Sequence, residues 1–220
     1  MKGIFITGTD TGVGKTYVAT GIIKELRRRT VNVGILKPAE TGCKMRNGRL
    51  NPADAMQLMK AADVHDSLSL VNPYCYRKPL APLVAAKLEK GKINPSKILT
   101  AFNTLVLKHE FMVVEGAGGI MVPLREDYLY LDLANDLKLP IVIVARPSLG
   151  TINHTLLTIE AIKRRRLKLA GIIINYASNQ KKELAEKTSP QIISAISHTK
   201  IIGIISHGSK KFSHIVDCLG

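Results

Sequence analysis

Near its start the chain passes from the apolar run Gly3-Ile4-Phe5-Ile6-Thr7 directly into Gly8-Thr9-Asp10-Thr11-Gly12-Val13-Gly14-Lys15-Thr16. Few folds accept a strand that breaks into a glycine turn and re-emerges as a helix at Lys-Thr. Glycines let consecutive backbone N–H groups turn inward around a polyphosphate, Lys15 reaches the terminal phosphates, and the Thr16 hydroxyl suits a Mg²⁺ ion. The helix expected from Lys15 to about Arg28 adds its positive N-terminal end to the same pocket. Five residues separate Gly8 from Gly14 where the usual pattern has four, so a chance glycine turn is the competing reading. The order of strand, turn and Lys-Thr helix start favours nucleotide binding. Gly12, Val13, Gly14, Lys15, Thr16 and Tyr17 are the expected contacts.

Nearly unbroken apolar runs recur at Gly3–Thr7, Val31–Leu36, Phe111–Val114, Ile141–Ala145, Ala170–Ile174 and Ile201–Ile205. Such runs suit strands covered on both faces, as in a parallel sheet. Between them lie segments of helical spacing: Lys15–Arg28, Ala53–Ala62, Pro82–Lys90, Pro95–Lys108, Leu131–Leu137, Ile152–Arg165 and Lys182–Ser197. The alternation predicts one α/β domain over residues 1–220, a doubly wound, mostly parallel sheet flanked by helices, of the phosphate-loop NTPase type.

The three cysteines, Cys43, Cys75 and Cys218, are odd in number and form no CxxC pair, so neither a zinc knuckle nor a secreted disulfide framework is indicated. A reduced, cytoplasmic setting is expected. No apolar stretch approaches the roughly 18 residues of a membrane span. The formal charge of +15 gathers at Arg27-Arg28-Arg29, Lys163-Arg164-Arg165-Arg166 and Lys181-Lys182. A nucleic-acid surface is one reading. Solvated helix ends that complement the helix dipole are the favoured one, because aromatics for base stacking make up only 5% of the chain. Neither a nucleic-acid nor a membrane partner is expected.

In a doubly wound sheet, ligands collect beyond the carboxyl ends of the strands. Lys37-Pro38 follows the second run, and its ammonium is expected over the same rim as Lys15. Two lysines there favour a reaction that builds negative charge on oxygen; a solvated strand-end lysine is the alternative. Glu115, at the end of Phe111-Met112-Val113-Val114, is the natural carboxylate for Mg²⁺, and Gly116-Ala117-Gly118-Gly119 after it permits close backbone approach. Asp54 serves equally as a second ligand or as first-turn dipole stabilisation of its helix. Asn175 offers a donor and an acceptor to a base edge, favouring ATP. Ser148 to His154 reads as a loop feeding a helix start, where exposed N–H groups hold a carboxylate or are simply capped.

In order along the chain, the phosphate loop, Lys37-Pro38 with Thr41-Gly42, Asp54, Val71-Asn72-Pro73-Tyr74, Ala81-Pro82, Val114 to Gly119, and Leu149-Gly150 with Ile152-Asn153-His154 closely resemble the dethiobiotin synthetases. The resemblance implies a dimeric, Mg²⁺-dependent ligase of biotin synthesis. It would use ATP to join carbon dioxide to the two amines of 7,8-diaminononanoate through a carbamate and its phosphorylated form. It further implies Lys37 and Lys15 as catalytic, and Thr16, Asp54 and Glu115 as the metal shell. Glu115, Gly116, Ala117, Gly118 and Asn175 would belong to the nucleotide site. Thr11 and Thr41 would touch substrate, and Gly150, Thr151, Ile152 and Asn153 would receive its carboxylate across a homodimer interface. Gly12 stands where some members carry Glu, and Gly203 to His207 lacks the proline often found after the last strand. Partition-type ATPases share the first strand and loop but place a second lysine early in it, where this chain has Thr9 and Asp10.

Overall fold

In the computed structural model, which describes residues 2–177 and 184–219, the apolar runs form one six-stranded sheet. In chain order the first elements are β1 (Lys2–Gly8), α1 (Lys15–Arg28), β2 (Val33–Leu36), β3 (Ala39–Glu40), β4 (Lys44–Arg46), β5 (Arg49–Asn51), α2 (Ala53–Ala62), α3 (Leu68–Val71) and β6 (Tyr74–Cys75). There follow α4 (Pro82–Leu88), α5 (Pro95–Val106), β7 (Phe111–Gly119), β8 (Pro123–Arg125), β9 (Tyr128–Leu129), α6 (Tyr130–Leu137) and β10 (Ile141–Ala145). The remainder is α7 (Thr151–Arg164), β11 (Leu169–Asn175), α8 (Leu184–Ser197), β12 (Ile201–Ile205) and α9 (Ser213–Asp217). The sheet order is β12-β11-β10-β1-β7-β2, every pair parallel. The chain therefore reverses its winding at β1, the switch point where a doubly wound sheet leaves a crevice.

Alternation along each strand builds two core layers. Ile4, Ile6, Val33, Ile35, Val142 and Val144 pack against α1, α2 and α9 on one face. Phe5, Leu36, Met112, Val114, Ile143 and Ile174 face α5, α6 and α7 on the other. Both faces are covered, which is why these strands read as continuous apolar runs.

The expected helix α1 and the strand β10 have the bounds read from the sequence, whereas α4 stops at Leu88, ahead of Lys90 with φ 56 and Gly91. The strand β7 does not end at Val114. It continues through Gly119, with Glu115 paired to Ile6 and a register irregularity before Gly119 meets Gly8. Glu115 thus lies inside the sheet rather than beyond it. The hairpin β4–β5 turns at Asn47 and Gly48, both at positive φ, the chemistry of a two-residue hairpin turn. The Lys181-Lys182 pair and the expected start of the last long helix at Lys182 lie outside the described residues.

Candidate active site

The phosphate loop closes because its glycines take conformations that other residues resist. Gly12 and Gly14 have φ of 75° and 89°, and a Cβ on Gly14 would lie 2.1 Å from Asn175 Nδ2. Lys15 opens α1, is buried, and donates to Asp10 O at 3.3 Å. Arg146, just past β10, holds Asp10 from the outside at 3.2 Å.

Lys15 and Lys37 line one cavity of about 700 Å³, together with Thr16, Asp54, Glu115 and Glu40. Lys37 is 2% exposed and Glu115 0%. Lys37 Nζ reaches Glu115 Oε1 at 2.5 Å, Asp54 Oδ2 at 3.0 Å and Gly116 O at 3.3 Å. Glu115 Oε1 also accepts from the Thr16 hydroxyl at 2.9 Å. Burial disfavours the Lys37 charge, but the Glu115 and Asp54 carboxylates outweigh it and hold the ammonium above its ordinary range. Lys15 goes the other way: burial first, then the Lys37 charge, lowers it to about 8. Lys37 is thus neutralised by the carboxylates around it, and Lys15, which makes no side-chain ion pair among the described residues, is the cation of this cavity placed at the loop where a phosphate would meet it.

The donor set also suits Mg²⁺. Glu115 Oε2 is buried with no partner, Asp54 has a second oxygen, and the Thr16 hydroxyl stands beside Glu115. These are hard oxygen donors of the kind magnesium takes when phosphates complete its shell. Among the described residues no group of three or more His, Cys, Asp or Glu is placed to hold a metal ion, here or elsewhere, so at this site the two carboxylates and the hydroxyl would need phosphate oxygens beside them.

Thr11, Thr41, Ala117 and Gly118 line the same cavity, as does the wall from Pro79 to Pro82. Gly116 contributes its carbonyl to Lys37, and Gly118 takes φ 66°. The Val13 carbonyl accepts from Asn175 Nδ2 at 2.9 Å, which ties one of the two Asn175 amide hydrogens to the loop. Its Oδ1 is buried and unpartnered beside a second cavity of about 190 Å³ that Gly12 and Arg146 also line.

Val13, Gly116, Tyr17 and the turn Gly150 to Asn153, all expected at the site, line neither cavity, and Val13 is buried in the core layer that packs against α1. The Tyr17 hydroxyl donates to Ser209 O at 2.5 Å and its ring meets Phe212 edge-on. Gly150, Thr151, Ile152 and Asn153 form the start of α7, with Gly150 at φ 88° and Thr151 buried against Thr155. Sequence reasoning missed Glu40, whose oxygens accept from Asp54 N and Ala55 N at 2.9 and 3.0 Å. It also gave no role to Asn72, whose amide donates to Lys37 O at 2.7 Å. Both sit in motifs that were legible, but nothing local says what a side chain meets across the fold.

A family model described as an AAA domain matches residues 2–210. The ATP-dependent dethiobiotin synthetase of Thermodesulfovibrio yellowstonii is 43% identical over 212 residues, covering 93% of this chain and 88% of the relative. The chain belongs to the dethiobiotin synthetase family. The family's member in Methanocaldococcus jannaschii is 41% identical over 206 residues, covering 92% of each chain. As a dethiobiotin synthetase, this chain is an ATP-dependent ligase of biotin biosynthesis. Solved structures show how widely the scaffold is shared. The MinC:MinD cell division complex of Aquifex aeolicus matches with a TM-score of 0.60 at 18% identity, over 99% of this chain and 86% of that one. A ParA family ATPase from Chlorobium tepidum matches with a TM-score of 0.58 at 16% identity, over 100% of this chain and 99% of the other. These likenesses carry the fold alone. No helix among the described residues of this synthetase is long and apolar enough to cross a membrane.

Proposed function

We propose that this synthetase carboxylates one amine of 7,8-diaminononanoate to a carbamate, phosphorylates that carbamate from ATP, and closes the cyclic urea with the second amine. The carbamate oxygen attacks the γ-phosphorus and ADP leaves. The second amine then attacks the carbonyl carbon, phosphate departs, and an amine proton is lost. The observation that carries this reading is the convergence of Lys15 and Lys37 on one cavity that also holds Thr11 and Thr41.

Lys15 holds the terminal phosphates through the loop, and Lys37 offsets the repulsion between carbamate and phosphate as negative charge gathers on the transferring group. Thr11 and Thr41 orient the diamine by hydrogen bonds. Thr16, Asp54 and Glu115 hold Mg²⁺, which when bound neutralises phosphate charge. Asn175 Oδ1 accepts from the base amine, and backbone groups of Gly12 to Tyr17 and of Gly116 to Gly118 frame the phosphates. Residues Gly150 to Asn153 receive the substrate carboxylate from a second subunit in a homodimer, which accounts for their place outside this chain's own cavity. A cytoplasmic setting fits three free cysteines.

Incubation with Mg·ATP, bicarbonate and 7,8-diaminononanoate, read by mass spectrometry, should yield the cyclic urea with one ADP per ring. ATP turnover that is stimulated by DNA or lipid and indifferent to the diamine would instead assign the chain to partition-type chemistry.

A further inference from the structure

Glu40 is a third carboxylate on the cavity wall, and both its oxygens are engaged by the first turn of α2. Those N–H groups are the ones a helix leaves unpaired at its start. The cap position itself is Pro52, at φ −76° and ψ 98°, with no side-chain cap. A serine there could supply such a bond locally, without a buried charge. Instead the cap reaches over from a strand residue that is 6% exposed. Burial pushes the Glu40 carboxyl up despite the two N–H groups, so capping alone is a poor reason for its presence.

A distant cap adds what a local one cannot, a fixed distance between two segments. The Lys37 main chain is tied on both sides, its N–H to Val71 O and its carbonyl to Asn72 Nδ2, each at 2.7 Å. The Glu40 carbonyl accepts from Tyr76 N at 2.9 Å and from Cys43 Sγ at 3.6 Å. The stretch from Lys37 to Glu40 is therefore a fixed bar, and Glu40 fastens α2 to it. Asp54, whose own N–H is one of the two held, comes to rest with Oδ2 3.0 Å from Lys37 Nζ.

We propose that Glu40 is a positioning residue, whose carboxylate ties the first turn of α2 to the Lys37 segment and thereby sets where Asp54 stands relative to Lys37 and Glu115. This rests on the reading of Asp54 as a Mg²⁺ ligand. Removing such a support typically weakens metal affinity by about 10- to 100-fold.

The test compares Glu40→Ala, Glu40→Ala with Pro52→Ser, and Asp54→Asn. Each is read by Tm, by the Mg²⁺ dependence of binding a non-hydrolysable ATP analogue in calorimetry, and by kcat. Glu40→Ala should lower Tm and raise the half-saturating Mg²⁺ at least about tenfold. Adding Pro52→Ser, a cap with no reach to the Lys37 segment, should recover Tm and leave the Mg²⁺ defect. Glu40→Gln keeps an oxygen acceptor and should shift less in the same direction; it carries the comparison if Glu40→Ala does not fold. A double variant that regains Mg²⁺ affinity together with Tm makes Glu40 a cap and overturns the proposal, as does an unshifted Mg²⁺ dependence in Glu40→Ala. If Asp54→Asn shifts the requirement and Glu40→Ala does not, the metal reading stands and the positioning role falls. If neither shifts, both fall.

Discussion

At the amino ends of β2 and β7, His109 hydrogen-bonds Asp66 at 2.7 Å and Asn32 at 2.8 Å, while Lys108 reaches Asp66 at 3.1 Å and Asn32 donates to the Lys108 carbonyl. At the other end of the same strands, Lys37, Glu115, Asp54 and Thr16 form a network of similar size. The first has no buried side-chain N or O without a partner among the described residues. All five such atoms, on Thr9, Asn72, Glu115, Arg146 and Asn175, lie at or beside the carboxyl ends of the strands. Native interiors satisfy their polar groups, so unsatisfied ones along the rim where a doubly wound sheet collects ligands are available to a ligand that would complete the bonding. The first network is complete within the chain, whereas in the second Glu115 keeps one oxygen open.

The sharpest way to break this contrast is Lys37→Gln. It should lower turnover at least about a hundredfold while leaving ATP affinity within about tenfold, because the charge is needed as negative charge transfers. Steady-state kcat beside analogue binding checks it, and an unimpaired rate removes Lys37 from the chemistry. The same change leaves Glu115 buried without its cation, a class of change that costs about 3–5 kcal/mol, so urea denaturation should show a clear loss. Glu115→Gln should raise the Mg²⁺ requirement about tenfold; activity titrated with Mg²⁺ at fixed ATP reads it, and an unaltered curve takes Glu115 out of the metal shell.

The smallest effect on activity belongs to the satisfied network. Asp66→Asn should leave kcat within about twofold and lower stability by about 1–3 kcal/mol, the range for a disrupted buried hydrogen bond. Burial opposes ionisation of Asp66, but hydrogen bonds from His109 and Lys108 prevail and hold its carboxyl below the usual carboxylate range. A depressed carboxyl stabilises the fold above its unfolded pKa of about 4 and loses that contribution as pH falls through the lower folded value. The Tm of the parent should therefore fall faster than that of Asp66→Asn below about pH 4. Parallel acid limbs would mean that Asp66 is not held ionised by its neighbours.

Much of this molecule was readable along the chain. The phosphate loop, the bounds of α1, α2 and β10, and the parallel sheet follow from glycine placement and from apolar periodicity. The hairpin at Asn47-Gly48 went unread, although that dipeptide is a turn signal. What else escaped was whatever depends on a neighbour distant in sequence. The length of β7 was underread because Glu115-Gly116-Ala117-Gly118-Gly119 resembles a loop, and only pairing with β1 extends it as a strand. From spacing alone Asp54 stood even between dipole stabilisation and metal ligand, and only the resemblance chose, because its meeting with Lys37 is a contact across the fold.

By itself the sequence determined the kind of fold, the phosphate cradle and the family, since turn chemistry and hydrophobic period are settled between residues close in the chain. The tertiary structure alone decided that Lys37 and Glu115, 78 residues apart, would share a hydrogen bond and that the second Glu115 oxygen would be left open beside it. The reason is electrostatic: a charge's partners and its burial are set by which strands become neighbours, and no local pattern carries that order.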